Sequence, residues 1–249
     1  MSYGLYMSAA GAHAQSHRMQ VLSNNLANVD TPGFKPQQTV LQSRFAEMIA
    51  QGEVPAGLGG ADDVGGGVTI DRAVTQFDMG AISRTGRQTD FAIEDDQSFF
   101  VVRRDGEQLL TRAGNFLFDA GGRLVTPRGD AVMSTAGDEI RINPTLPYDI
   151  AAGGYIRQGN TNLALMLARP QSLGDLKMTD ENYFVPGGTI EAVAPGERRV
   201  QNGAIERSAV SPTAAMMEMI ETTRVYEANV RLIQSQDSAT GSLISRVLK

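Results

Sequence analysis

Two histidines, His13 and His17, stand four residues apart near the start of the chain, a spacing that on a helix would aim both imidazoles at one metal ion. Zinc needs a third protein ligand, and neither an HExxH pattern nor any further histidine follows. Structural or solvent-facing histidine is the better reading. Glu94, Asp95 and Asp96 could be imagined as the paired acids of glycoside hydrolysis, but that reaction holds its carboxyls roughly 5–10 Å apart across a substrate. Adjacent acids beside a strand read instead as a solvated turn. A Ser-His-Asp triad would need one of these two histidines to reach a distant serine, and no G-x-S-x-G is present. The glycines of residues 52–67, GEVPAGLGGADDVGGG, lack the GxxxxGK[ST] of a phosphate loop and read as an irregular connection. The chain thus offers no catalytic residues, no cofactor site and no metal site, and reads as non-enzymatic.

The elements around these residues explain more. At 249 residues the chain can bury a substantial core. It is rich in glycine, with 27, and poor in aromatics, at 6 %, which favours turns. A net charge of −6 with no basic cluster argues against a nucleic-acid partner. There is no cysteine, so disulfides and thiolate metal sites are excluded. No stretch reaches the roughly 20 apolar residues of a membrane helix, and the start of the chain lacks the pattern of a secretory signal.

Both ends carry helical patterns. From Ser2, a candidate N-cap, to about Val29, the residues Leu5, Ala12, Met19 and Leu26 recur every seven, with Ala9 and Leu22 beside them. After Ser211-Pro212 a strict alternation of three and four begins at Met216 and passes through Met219, Thr223, Tyr226, Val230, Ile233, Asp237, Thr240 and Ile244 to Val247. Each is a narrow, coiled-coil-like seam rather than a wide apolar face. Two such helices can pair with each other, yet a pair leaves its flanks exposed, so neighbouring copies are the natural means of covering them. The eleven methionines suit adaptable packing of that kind.

Between the helices, short β-type runs alternate with turn signals: Asp105-Gly106, Gly121-Gly122, Arg128-Gly129-Asp130 and Pro186-Gly187-Gly188. Leu163, Leu165 and Leu167 alternate with Ala164 and Met166. This predicts an all-β module, sandwich or partial barrel. The fold class is therefore α+β, a central domain of short antiparallel strands carried between N- and C-terminal helices. Where the first helix stops, three asparagines and Thr31-Pro32-Gly33-Phe34 form a corner: asparagine tolerates the left-handed conformation, Pro32 turns Thr31 away from helix, and Gly33 permits a tight turn.

At that corner LSNNLANVDTPGFK (Leu22 to Lys35) resembles the N-terminal signature of the flagellar basal-body rod and hook protein family. The segments Phe77 to Val102, Leu109 to Met133 and Val200 to Ile244 are also similar to that family, and in length and layout the chain resembles its single-β-domain rod proteins, of the proximal and distal rod. It departs from the family where G-x-G-F-F is usual and Asp95-Asp96-Gln97-Ser98-Phe99-Phe100 stands here, and where S-N-V becomes Ser208-Ala209-Val210.

The resemblance implies a structural subunit of the bacterial flagellar basal-body rod that assembles helically through its terminal helices into a hollow, torque-transmitting drive shaft, with the proximal rod preferred over the distal. The implied partners are itself, homologous rod proteins, hook and other basal-body components and the flagellar type III export apparatus, with no nucleic acid and no membrane insertion. The implied location is the rod, crossing the periplasm or cell wall after export without a cleaved signal peptide. The alternative is a soluble β-domain enzyme or carbohydrate-binding module with helical oligomerisation arms. The expected division is 1–35 with 208–249 as paired terminal helices, 36–75 as a glycine-rich irregular connection and 76–207 as the β domain. The expected assembly seam is Leu5, Met19, Leu22, Leu26, Met219, Tyr226, Val230, Ile233 and Ile244, and the corner residues are Asn25, Asn28, Gly33 and Phe34.

Overall fold

The computed structural model describes residues 3–43, 67–179 and 182–247. The candidate cap Ser2 and the glycine-rich run up to Gly66 lie outside them. Two long helices bracket the chain, α1 (Tyr3–Ala27) and α2 (Pro212–Val247), with short antiparallel strands between, the expected α+β class. Among the described residues no helix is long and apolar enough to cross a membrane.

The described residues fall into two compact units, one built from 3–27, 37–43, 67–74 and 211–247, the other from 28–36, 75–179 and 182–210. In the first, α1 packs along α2, and the strands Gln37–Ser43 and Val68–Thr75 pair as a two-stranded ribbon that also meets α1. This differs from the expectation that 36–75 is irregular throughout. Gln37–Ser43 (QQTVLQS) and Val68–Thr75 (VTIDRAVT) are rich in threonine and valine, which suit a pleated surface. Their polar, half-exposed pattern hid them beside the glycines. A second difference is that the corner, 28–36, belongs with the strands rather than with the helices.

In the second unit the hairpins follow their turn residues. Phe99–Arg104 and Glu107–Thr111 pair across Asp105 and Gly106, both at positive φ, 50° and 89°, the conformation that the Asp-Gly pair tolerates best. Leu117–Phe118 pairs with Leu124–Val125 across Gly121-Gly122, and Leu124–Val125 with Ala131–Val132 across the Arg128-Gly129-Asp130 turn. The run through Leu163 to Leu167 splits: Thr161–Ala164 folds back on Tyr155–Gln158, while Leu167–Pro170 joins Phe99–Phe100. Phe99–Arg104 is thereby the hub of a nine-stranded sheet, bonded to Glu107–Thr111 on one edge and to two different strands along the other. Both of its faces are covered. Phe100 and Val102 enter one apolar core with Phe91, Phe116, Leu124 and Ile156, and Phe99 and Val101 enter a second with Leu110, Met133 and Phe184.

The turn that departs from the family pattern is closed by a side chain in place of glycines. The Asp95 carboxylate accepts from the backbone N–H groups of Gln97, at 2.9 Å, and Ser98, at 2.6 Å.

A polar cluster around Asp130 interrupts this unit's apolar interior. Arg104 donates two hydrogen bonds to Asp130, at 2.8 and 2.9 Å, and Tyr183 donates its hydroxyl proton to the same carboxylate at 2.6 Å. The Arg104 bonds come first among the causes that hold Asp130 below the usual carboxylate range, and the Tyr183 and Thr126 hydroxyls add to them against the cost of burial. Burial, and then the bond to Asp130, push the Tyr183 phenol up to about 12. The signs at the two ends of the pH scale follow by linkage. The Asp130 contribution is present above the unfolded value near 3.9 and is lost as pH falls through the lower folded one. The Tyr183 contribution is present below the unfolded value near 10 and is lost as pH rises toward about 12. A phenolate absorbance titration of the native protein is expected to show a late step that Tyr183→Phe removes, and a titration unchanged by that substitution would contradict the assignment.

Candidate functional site

The helical unit is held by an antiparallel pairing that the contacts fix along its length. Arg18 forms an ion pair with Glu218, Thr223 lies against the Met19 sulfur at 3.6 Å, Gly11 faces Asn229, and Gly4 faces Gln236. The two glycines are seven residues apart, as are the two amides. A Cβ on Gly4 would come within 2.8 Å of the Gln236 amide nitrogen, and one on Gly11 within 3.0 Å of the Asn229 oxygen. Each glycine is thus a notch that receives an amide side chain. Thr222, nearly fully buried, satisfies its hydroxyl on the Glu218 carbonyl at 2.7 Å, so a polar residue sits in the seam without an orphaned donor.

Of the residues expected in the seam, Leu22 is buried and Leu5, Met19, Leu26, Met219, Tyr226, Val230 and Ile233 are half-buried. Ile244 is 54 % exposed in the single chain. Since Gly4 already lies opposite Gln236, Ile244 stands two turns beyond, past the first described residue of α1. The most buried positions of α1 are Ser8, Ala14, Val21, Leu22 and Asn25; of these, periodicity named only Leu22, and Asn25 was named at the corner. Ser8 and Ala14 are small and carry no hydrophobic signal, and Val21 falls outside the heptad. The seven-residue spacing of Gly4 and Gly11 was the sign available.

Away from α1, α2 exposes Met217, Ile220 and Leu232 among the charged Glu221, Arg224, Glu227 and Arg231. Two shallow grooves lie on that surface, one lined by Met217, Ile220 and Arg224, the next by Arg224, Arg231 and Leu232. His13 is exposed and His17 half-buried on α1, and among the described residues no cluster of three or more His, Asp or Glu is arranged to hold a metal ion.

At the corner each expected residue has a defined task. Asn25 is buried and its amide acts as a strand partner, donating to the Gln37 carbonyl at 2.7 Å and accepting from the Gln37 N–H at 2.9 Å. The Asn28 side chain accepts from the Thr31 hydroxyl at 3.1 Å, while its carbonyl takes the Thr31 N–H at 3.2 Å, closing the turn. Gly33 has φ +65° and lies against the backbone of Arg112, where a Cβ would come 2.4 Å from the carbonyl carbon. Phe34 is 2 % exposed.

Directly after it comes a charge cluster that sequence reasoning missed. The side chains of Lys35 and Arg112 are fully buried, and that of Glu206 is 1 % exposed. Lys35 donates to Glu206 Oε1 at 2.7 Å and to the Asp78 carbonyl at 2.6 Å, and Arg112 donates to Glu206 Oε2 at 2.9 Å. The Arg112 guanidinium also donates to the carbonyls of Ser98 and Asp95. Glu206 Oε1 accepts in addition from the N–H of Gly80 at 2.9 Å. Burial drives the Lys35 ammonium below its ordinary pKa, Glu206 pulls it back up, and Arg112 pushes it down again. Its three members lie 77 and 94 residues apart, too far for any local pattern to join them.

Because Gly33 combines a left-handed backbone with closed space, Gly33→Ala is expected to destabilise the second unit by on the order of 3 kcal/mol. Urea denaturation followed by a sheet signal measures it, and a midpoint unchanged from wild type would refute the close packing described here.

Comparison with known proteins places these features in context. Residues 5–35 match the family description "Flagella basal body rod protein", residues 92–161 "Flagellar hook protein FlgE/F/G D1 domain", and residues 201–246 "Flagellar basal body rod FlgEFG protein C-terminal". The chain is 31 % identical to the flagellar basal-body rod protein FlgG of Buchnera aphidicola subsp. Acyrthosiphon pisum over 258 residues, 94 % of this chain and 95 % of the relative. It is 26 % identical to the flagellar basal-body rod protein FlgF of Caulobacter vibrioides over 252 residues, 100 % of this chain and 99 % of that one. The flagellar hook protein FlgE of Helicobacter mustelae matches 57 % of this chain and 32 % of its own length, at 38 % identity. The first matched segment is α1 with its corner, the second holds the hub strand of the large sheet, and the third runs from the strand before Glu206 through α2. With both ends and the sheets matched, and a full-length relative above 30 % identity, this chain belongs to the flagellar basal-body rod protein family.

Proposed function

We propose that the chain is a structural subunit of the flagellar rod, and that copies stack helically through the terminal helices into a hollow shaft that transmits torque. The observation that carries this reading is that Met217, Ile220 and Leu232 of α2 are exposed while the opposite side of the same helix engages α1. Exposed methionine, isoleucine and leucine along one helix, rimmed by charge, are the kind of surface that marks a protein interface. Contacts of head-to-tail type that do not close on themselves propagate into filaments. The rod and hook names of the relatives support homologous rod and hook proteins as neighbours and the basal body as the location.

The finer parts of the proposal extend the family likeness: passage through the flagellar type III export apparatus, a shaft crossing the periplasm or cell wall, and a place in the proximal segment ahead of the distal. The rod protein to which the chain crosslinks in assembled basal bodies decides its segment.

The test uses exposed positions, so that the monomer's own seam is left alone. Ile220→Asp combined with Leu232→Asp is expected to leave circular dichroism and thermal unfolding of the monomer near wild type, while rod assembly and swimming are lost in a strain carrying only the variant. Two charges buried without partners at an interface cost several kcal/mol, on the order of a thousandfold in affinity. Normal motility and intact rods in that strain would overturn the reading.

A further inference from the structure

Residues 31–36 cross the second unit as a strap tied at successive positions. The Pro32 carbonyl accepts from the Asn182 amide at 3.1 Å, the Gly33 N–H donates to the Glu206 carbonyl at 2.8 Å, and the Phe34 carbonyl accepts from the Ala209 N–H at 3.0 Å. The Pro36 carbonyl accepts from the Gln76 N–H at 2.8 Å. Among these ties the one made by Lys35 is the one that carries charge.

These ties differ in what replaces them when they break. A backbone hydrogen bond given up to water costs about 1 kcal/mol net. The buried cluster behaves otherwise, because it holds two cations against one carboxylate. If Lys35 withdraws, Glu206 remains paired with Arg112, which keeps its bonds to the Ser98 and Asp95 carbonyls, and the buried net charge falls from +1 to zero. If Arg112 were to leave instead, three bonds would break and two carbonyls would lose their donors. The strap is therefore the separable half of the cluster, and the Arg112–Glu206 pair is the half that stays.

We propose that residues 31–36 open and close as one piece on the second unit, with Lys35 as the pin and the Arg112–Glu206 pair as its preformed socket. Opening is a local event of lower free energy than unfolding of the sheets, and it frees the corner from them. The choice of lysine is part of the device. Nearly every other cation in the chain is arginine, and lysine occurs only at 35, 177 and 249. A compact ammonium donates at once to Glu206 and to the Asp78 carbonyl, on the carboxylate that the planar guanidinium of Arg112 also binds.

The scarcity of lysine also supplies the measurement. Amine acylation of the full-length monomer with an N-hydroxysuccinimide ester, read peptide by peptide by mass spectrometry, follows Lys35 against the exposed Lys177 in one sample. In native buffer Lys35 is expected to react at least a hundredfold more slowly than Lys177. As urea is raised below the unfolding transition, Lys35 modification is expected to depend only weakly on urea, whereas amide exchange at Val101 and Leu110 in the sheet follows the steep dependence of global unfolding. Glu206→Gln, which keeps shape but removes the charge, is expected to speed Lys35 acylation tenfold or more without changing exchange at Val101. Lys35 reacting as fast as Lys177 in the wild type would overturn the proposal. So would a urea dependence of Lys35 equal to that of Val101, which means the strap leaves only with the whole unit, and this outcome is read from the wild type even if the variant does not fold. Every readout is taken on the monomer, so the result stands apart from the assembly reading.

Discussion

Glu206 is a charge taken almost wholly out of water, and a carboxylate in that position is tolerable only while a cation and further donors stay beside it. Holding them constrains a large part of the second unit. The Lys35 side chain fixes the corner, Arg112 ties the end of the hub hairpin to the turn at Asp95 and Ser98, and the Gly80 N–H binds the segment that follows the ribbon. Gly80 can approach so closely because it has no Cβ; one would come 2.0 Å from the Arg207 carbonyl oxygen. Three chain passages that are remote in sequence thus converge on one acidic side chain just before α2.

The parts of this molecule that were legible in its sequence are those decided by neighbouring residues. Asp105-Gly106 and Gly121-Gly122 encode their hairpins within a few residues, and the Asn-rich corner announced itself because helix termination is local chemistry. What escaped is what depends on distance. Lys35, Arg112 and Glu206 look like ordinary surface charges until the sheets bring them together. The ribbon at 37–43 and 68–75 lacked the alternation that marks a strand with one buried face. Ile244 continues the heptad, and periodicity says nothing about where the partner helix ends.

The seam between α1 and α2 follows the same lesson from another side. A hydrophobic stripe is the usual sign of a helix interface, yet here glycine faces amide at Gly4 and Gln236 and again at Gly11 and Asn229. Polar layers of this kind specify register at some cost in stability, since sliding by one turn would strand an amide against a methylene. They also release the larger apolar residues, Met217, Ile220 and Leu232, from service inside the chain. The helix pair is held together by fit and leaves its hydrophobicity to be used elsewhere.

The unequal reach of the two helices has a mechanical meaning. With Gly4 opposite Gln236, the last eleven residues of α2, 237–247, run on for roughly 16 Å beyond the described start of α1. Joiners call this arrangement a lap: two members of different length, with the ends offset so that no cut passes straight through. If copies stack as proposed, an offset of this kind would spread shear under twist along side-by-side faces rather than concentrate it at butted ends.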